Sequence, residues 1–127
     1  MDAIANWHHF LETRDPARLH DLLDPDVIFE SPVVHTPQQS RAITKKYLLG
    51  AAQVLGTSAF RYTGEWRNER SAVLEFETEI DGVKVNGVDI IRLSEDGAHI
   101  THFKVMLRPL KAIELVHRRM GEMLARG

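Results

Sequence analysis

The dipeptide Asp81-Gly82 constrains this chain more than any other feature, because it stands between two alternating runs, "SAVLEFETEI" and "VKVNGVDIIRL". Aspartate then glycine is the residue choice of a two-residue hairpin turn, in which both positions need a positive φ. Such a turn leaves no freedom of register. Ile80 must face Val83, and counting outward sets Leu74 opposite Asp89. One face of the ribbon then holds Leu74, Phe76, Thr78, Ile80, Val83, Val85, Gly87, Asp89 and Ile91. The other holds Glu75, Glu77 and Glu79 against Val88, Asn86 and Lys84. Because side chains alternate between faces, the apolar set is the buried one. Asp89 therefore goes inward, where burial disfavours its charged form.

The same alternation extends the sheet from Ser58 to Leu107. In "AFRYTGEWR" it places Phe60, Tyr62 and Trp66 on one, inner side. After Leu93, "SEDGA" leads into "HITHFKVML", where Phe103, Val105 and Leu107 alternate with His102, Lys104 and Met106. A shorter loop sets His102 opposite Asp89, and one more residue sets Phe103 there; the apolar set selects Phe103.

Helical spacing governs both ends. Ile4, Trp7 and Leu11, with His8 off by one, mark a first helix. A second is opened by Asp15 as N-cap with Pro16 behind it, buries Leu19, Leu22 and Leu23, and is stopped by Asp24-Pro25-Asp26. "VIFESP" reads as a short strand. A longer helix follows, with Thr36 as N-cap, Pro37 in its first turn and Gln39 placed for a capping box. Its stripe is Ile43, Tyr47, Leu48, Ala51, Val54 and Leu55, and Gly56 ends it. A C-terminal helix begins at Pro109 and turns Leu110, Ile113, Val116 (or His117) and Met120 inward. Helices followed by a strand meander predict an α+β layer fold, a curved antiparallel sheet wrapped on helices with a cavity between them.

At 127 residues the chain fits a single domain, 1–127, able to bury its own core. A formal charge of -2 without a basic stripe argues against nucleic acid as a partner. No apolar run approaches the roughly 20 residues that a membrane helix needs. The absence of cysteine removes disulfides and thiolate chemistry. "MDAIANWHHFLETRD" lacks the basic and apolar regions of a signal peptide, so the expected location is cytoplasmic. Seven histidines invite a metal, but His8 and His9 point to different helix faces, and His99 and His102 to opposite strand faces. No metal and no cofactor are expected.

The order of paired helices, "VIFESPVV", a long helix and a meander ending in "DIIRLSEDGAHIT" resembles the NTF2-like superfamily, specifically its SnoaL-like bacterial branch. That resemblance implies a cone-shaped, cystatin-like fold shared with ketosteroid isomerase, limonene epoxide hydrolase and polyketide cyclases. In ketosteroid isomerase an aspartate base works with a tyrosine and a protonated aspartate that stabilise the dienolate oxygen. "DIIRL" matches the surroundings of the protonated aspartate, which puts Asp89 at that position. Ser31 of "FESPVV" stands where the base belongs, and Trp7 where the tyrosine belongs. With two of three groups replaced, the resemblance does not carry steroid isomerisation. The Asp-Arg-Asp arrangement of the epoxide hydrolase is not matched either, since Arg92 alternates away from Asp89. The cyclases of this branch use one carboxylate in an apolar pocket, a role open to Asp89.

The site expected from all this is catalytic Asp89 and His35, with Trp7, Phe29, Ser31, Tyr47, Phe60, Tyr62, Trp66, Leu74, Phe76, Phe103, Val105 and Leu107 around a small apolar ligand. The structural alternative for Asp89 is a buried acid bonded to a neighbouring tyrosine, tryptophan or backbone group. For His35 it is an exposed loop residue. As a whole, the domain can be a proton-transfer enzyme of the isomerase, cyclase or hydratase type, or a non-catalytic binding or dimerisation module. Val73, Val88 and Ile90 on the outer sheet face, and dimers among the relatives, lead to the expectation of a homodimer.

Overall fold

The computed structural model describes residues 2–126. Its elements run α1 (Ala3–Thr13), α2 (Pro16–Leu22), β1 (Leu23–Glu30), β2 (Gln38–Gln39), α3 (Arg41–Leu55), β3 (Arg61–Arg67), β4 (Ser71–Ile80), β5 (Val83–Leu93), β6 (Ile100–Arg108) and α4 (Leu110–Ala125). The strands form one six-stranded sheet in the order β2-β1-β6-β5-β4-β3.

Asp81 and Gly82 both take positive φ, 50° and 79°, as the tight hairpin turn requires. From there β4 and β5 pair without interruption, Ile80 with Val83 and Leu74 with Asp89. The inner face this creates packs on α1, α2 and α3, with Phe10, Phe76 and Phe103 fully buried. Each such side chain stabilises the fold by about 1.5–3 kcal/mol relative to exposure. Two apolar clusters result, one under the N-terminal helices and one under α4, with Tyr62 and Leu107 bordering both.

The sheet is mixed rather than wholly antiparallel, because β1 runs parallel to β6. No turn joins these two strands; α3 and the meander intervene, so nothing local dictates their relative direction. β1 also begins earlier than expected, at Leu23, and its pairing with β6 shifts between Leu23 and Ile28, where Pro25 has no N–H to donate.

The start of α3 differs as well. Thr36 and Pro37 precede the helix, Gln38 and Gln39 pair with Phe29 and Ile28 as β2, and Ser40 is the N-cap, accepting from the Ile43 N–H at 3.2 Å. Serine caps as well as threonine, and the later start gives the two glutamines backbone partners. Ile43 consequently lies 40% exposed at the helix start. In α4 the inner face is Ala112, Leu115 and Val116, while Leu110 at the first turn is 70% exposed. The helix is rotated so that the small Ala112 is fully buried.

Two irregularities change the inner face itself. Between Tyr62 and Gly64 the β3–β4 register shifts by one, leaving Thr63 extra. Alternation inverts beyond it. Trp66 therefore lies on the outer face opposite Val73, 59% exposed, and its ring covers Gly64, where an added Cβ would come within 2.6 Å of it. On the other side of the hairpin, Ser94–His99 forms a longer connection and a further shift falls between Arg92 and Leu93. Phe103 then faces Ile91, and Val105 faces Asp89. The displacement is an even number of residues, so Phe103 and Val105 keep their inward orientation.

Candidate active site

Asp89 is 6% exposed, one of three buried polar residues among the described residues. Its position follows from the hairpin: β5 carries it into the space between the sheet and α1 and α3. Tyr62 reaches it from β3 across the intervening strand, and its hydroxyl donates to Asp89 Oδ2 at 2.7 Å. The Tyr62 oxygen in turn accepts from Trp7 Nε1 of α1 at 2.9 Å. A tryptophan N–H can only donate, so the chain has one direction: indole to phenol to carboxyl. Trp7 is held by edge contact with Phe103 at 4.8 Å, and Tyr62 by edge contact with Phe60 at 5.2 Å.

Burial pushes the Asp89 carboxyl from its ordinary 3.8 up to about 7, against the hydrogen bond from Tyr62, which favours the anion. Burial, the neighbouring Asp89 charge and the hydrogen bond to it hold Tyr62 well above its ordinary value. The phenol is thus a fixed donor and the carboxyl is the group that titrates near neutrality.

A cavity of about 210 Å³ opens onto this pair. Phe60, Phe76, Phe103 and Val105 line it from the sheet side, and Leu48, Ala51, Ala52 and Leu55 from α3. Asp89 and Arg14 are the charged side chains on its walls. Arg14, in the left-handed turn that ends α1 (φ 55°), donates to the Gly56 carbonyl at 2.7 Å. An apolar chamber with one proton-bearing carboxyl can bind a ring and exchange a proton with it. Sequence reasoning missed Arg14, Leu11 and Thr57 on these walls; the α3 residues were legible as an apolar stripe, but not as cavity walls.

Of the residues expected at the site, Asp89, Trp7, Phe60, Tyr62, Phe76, Phe103 and Val105 come together here. Phe29, Ser31, Tyr47 and Leu107 line a neighbouring cavity instead. Leu74 is fully buried under the sheet and lines neither. Trp66 is on the opposite face, as above. His35 is exposed in the segment after β1, beside a surface depression edged by Glu30 and Lys104, and it does not reach the Asp89 cavity. The Ser31 hydroxyl accepts from the Val33 and Val34 N–H groups at 3.2 and 2.9 Å, which makes it a turn residue. Among the described residues, no three His, Asp or Glu side chains are grouped to hold a metal ion. No helix of the described residues is long and apolar enough to cross a membrane.

Residues 4–103 match the family model of the SnoaL-like domain. The chain belongs to the SnoaL-like family. This SnoaL-like chain is similar to a steroid delta-isomerase from Pseudomonas aeruginosa, with 32% identity and a TM-score of 0.91 over 98% of this chain and 90% of that one. It is also similar to a protein with a cystatin-like fold from Silicibacter pomeroyi, with 29% identity and a TM-score of 0.85 over 94% and 83% of the two chains. An NTF2-like protein from Cytophaga hutchinsonii shares the fold at 13% identity, with a TM-score of 0.62 over 87% and 91%. No protein of curated function matches the sequence. The expected α+β, NTF2-like architecture is thereby established for this chain.

Proposed function

We propose that this SnoaL-like domain binds an apolar, ring-containing small molecule in the Asp89 cavity, and that Asp89 exchanges a proton with it. The reaction class is an isomerisation, cyclisation or hydration. One observation carries the reading: a buried carboxyl, fixed by the Trp7–Tyr62 chain and raised to about 7, facing an apolar cavity. Near neutral pH both of its forms are populated. The acid can donate to a ligand oxygen, and the carboxylate can accept a proton from carbon or water, which is the condition for efficient general acid–base work. The similarity to a steroid delta-isomerase supports proton transfer as the chemistry. It does not bring that reaction in its three-residue form, because Ser31 replaces the base outside this cavity and Trp7 spends its N–H on Tyr62.

The test is a thermal-shift screen of cyclic enones, phenols and polycyclic ketones, followed by turnover assays on the compounds that stabilise the protein. Asp89→Asn is expected to abolish turnover while the protein remains folded. Turnover that survives this substitution removes Asp89 from the chemistry. A binding module without catalysis is the alternative, favoured by the apolar character of the walls; it predicts stabilisation by ligand with no turnover of any compound.

We also propose that two copies associate through the outer sheet face. Trp66, Val73 and Ile90 lie in one row across β3, β4 and β5, and Val88 and Met106 in the next, with Trp66 and Met106 at least half exposed. Exposed aromatic and methionine side chains grouped in this way are the composition of an interface centre.

A further inference from the structure

We infer that the ligand held at Asp89 carries an aliphatic chain that extends into a second cavity beneath α4. This deepens the reading above and rests on it. The second cavity measures about 140 Å³ and lies between α3, the end of β6, the segment after β1, and α4. It shares three residues with the Asp89 cavity: Ala51, Leu55 and Val105. Ala51 and Leu55 are one turn apart on the same face of α3. Val105 is the residue directly opposite Asp89 on β6. The partition between the two spaces is therefore a single layer of side chains, and a methyl group is all that Ala51 contributes to it.

The chemistry of the second space selects what can enter. Phe29 and Tyr47, stacked at 5.4 Å, form one wall, and Met120 and Leu124 of α4 another. Methionine adapts its shape to what it packs on. Ser31 already accepts two backbone N–H groups, so its hydroxyl is committed to the turn. Val33 and Val34 edge the space and are 38% and 48% exposed, an apolar rim at an apolar opening. His117 also borders the space but is exposed to solvent, and the remaining walls are predominantly apolar. Such walls favour methylene groups over a polar head, whereas Asp89 offers a partner for a ligand oxygen. A ring with a polar oxygen at Asp89 and an alkyl substituent passing Ala51 satisfies both cavities at once.

Calorimetric titration with para-alkylphenols, from methyl to octyl, reads this directly. Affinity is expected to rise about fourfold with each added methylene while the chain enters the second cavity, and then to level off. In Ala51→Leu the rise should stop within the first carbons. Gly121→Leu provides a second variant: a Cβ there meets nothing within 4 Å, so the fold accepts it, and the added side chain should move the plateau to shorter chains. If para-cresol binds in an Asp89-dependent way but affinity is flat with chain length, or both variants leave the rise unchanged, the tail lies elsewhere and the inference is wrong while the Asp89 reading stands. If no member of the series binds the unaltered protein, the Asp89 reading itself fails.

Discussion

Replacing Asp89 with asparagine isolates the free-energy cost of keeping a carboxyl group in this cavity. The folded carboxyl titrates at about 7, against 3.8 ordinarily. Between those limits the folded chain holds one proton that the unfolded chain has released, so stability falls as pH rises. Each pH unit costs about 1.4 kcal/mol, and the gap of about three units costs roughly 4 kcal/mol in all. The loss begins near the unfolded value, is complete near the folded one, and the curve is flat above it. Asparagine has the same shape, its amide oxygen can still accept from Tyr62, and it has no proton to lose. Glu30, held below its ordinary value chiefly by the His102 hydrogen bond, and Asp2, held low chiefly by the Ala5 N–H, stabilise the fold as pH rises through the acid range. They do so equally in both proteins and cancel in the difference. Urea unfolding followed by tryptophan fluorescence, from just below pH 3.8 to mildly alkaline pH, should show the asparagine variant gaining on the parent by roughly 4 kcal/mol, all of it below about neutral pH. A stability difference that stays constant across this range would refute the reasoning, because a solvated or strongly paired carboxylate has no such dependence.

Further expectations concern the surroundings of that group. Tyr62→Phe removes the hydrogen bond that favours the Asp89 anion and leaves the Trp7 N–H without its acceptor. The carboxyl should titrate higher still by NMR, and urea unfolding should show a cost of about 1–3 kcal/mol. Gly87→Ala forces a Cβ within 2.5 Å of the Phe76 ring and 2.7 Å of the Met106 carbonyl oxygen. Overpacking of this kind costs about 1–3 kcal/mol, measurable in the same unfolding experiment. Met106→Glu places a charge in the outer-face strip and should shift sedimentation equilibrium from dimer to monomer without lowering the monomer's thermal stability; an unaltered monomer at micromolar concentration excludes the dimer.

What could be read in the sequence tracks how locally each feature is determined. Asp81-Gly82 fixes its own φ values and, through them, every pair from Ile80↔Val83 to Leu74↔Asp89. The inward position of Asp89 is therefore a local property of the hairpin. Trp66 lies on the outer face, against the simple alternation, because a single extra residue, Thr63, inverts the pattern, and no residue in "RYTGEWR" other than Gly64 hints at it. The partner of Asp89 lies two residues further along than the apolar pattern predicts, because a longer connection and an irregularity between Arg92 and Leu93, at the very end of β5, set the β5–β6 register, and the alternation of the paired residues encodes neither. The parallel β1–β6 pairing depends on elements far apart in the chain. For the site, the carboxyl and its aromatic neighbours were legible, since they belong to alternating strands. The Tyr62–Asp89 contact spans three strands, and Arg14 reaches the cavity from a helix end; neither is encoded by a periodicity.

The central claim is that Asp89 bears a proton near neutral pH inside the cavity. Carboxyl-carbon NMR of protein labelled at aspartate, with Asp89→Asn used to assign the resonance, tests this without any knowledge of the substrate. The account predicts one aspartate signal titrating at about 7, well separated from the others. An Asp89 signal that titrates near the ordinary 3.8 would contradict it.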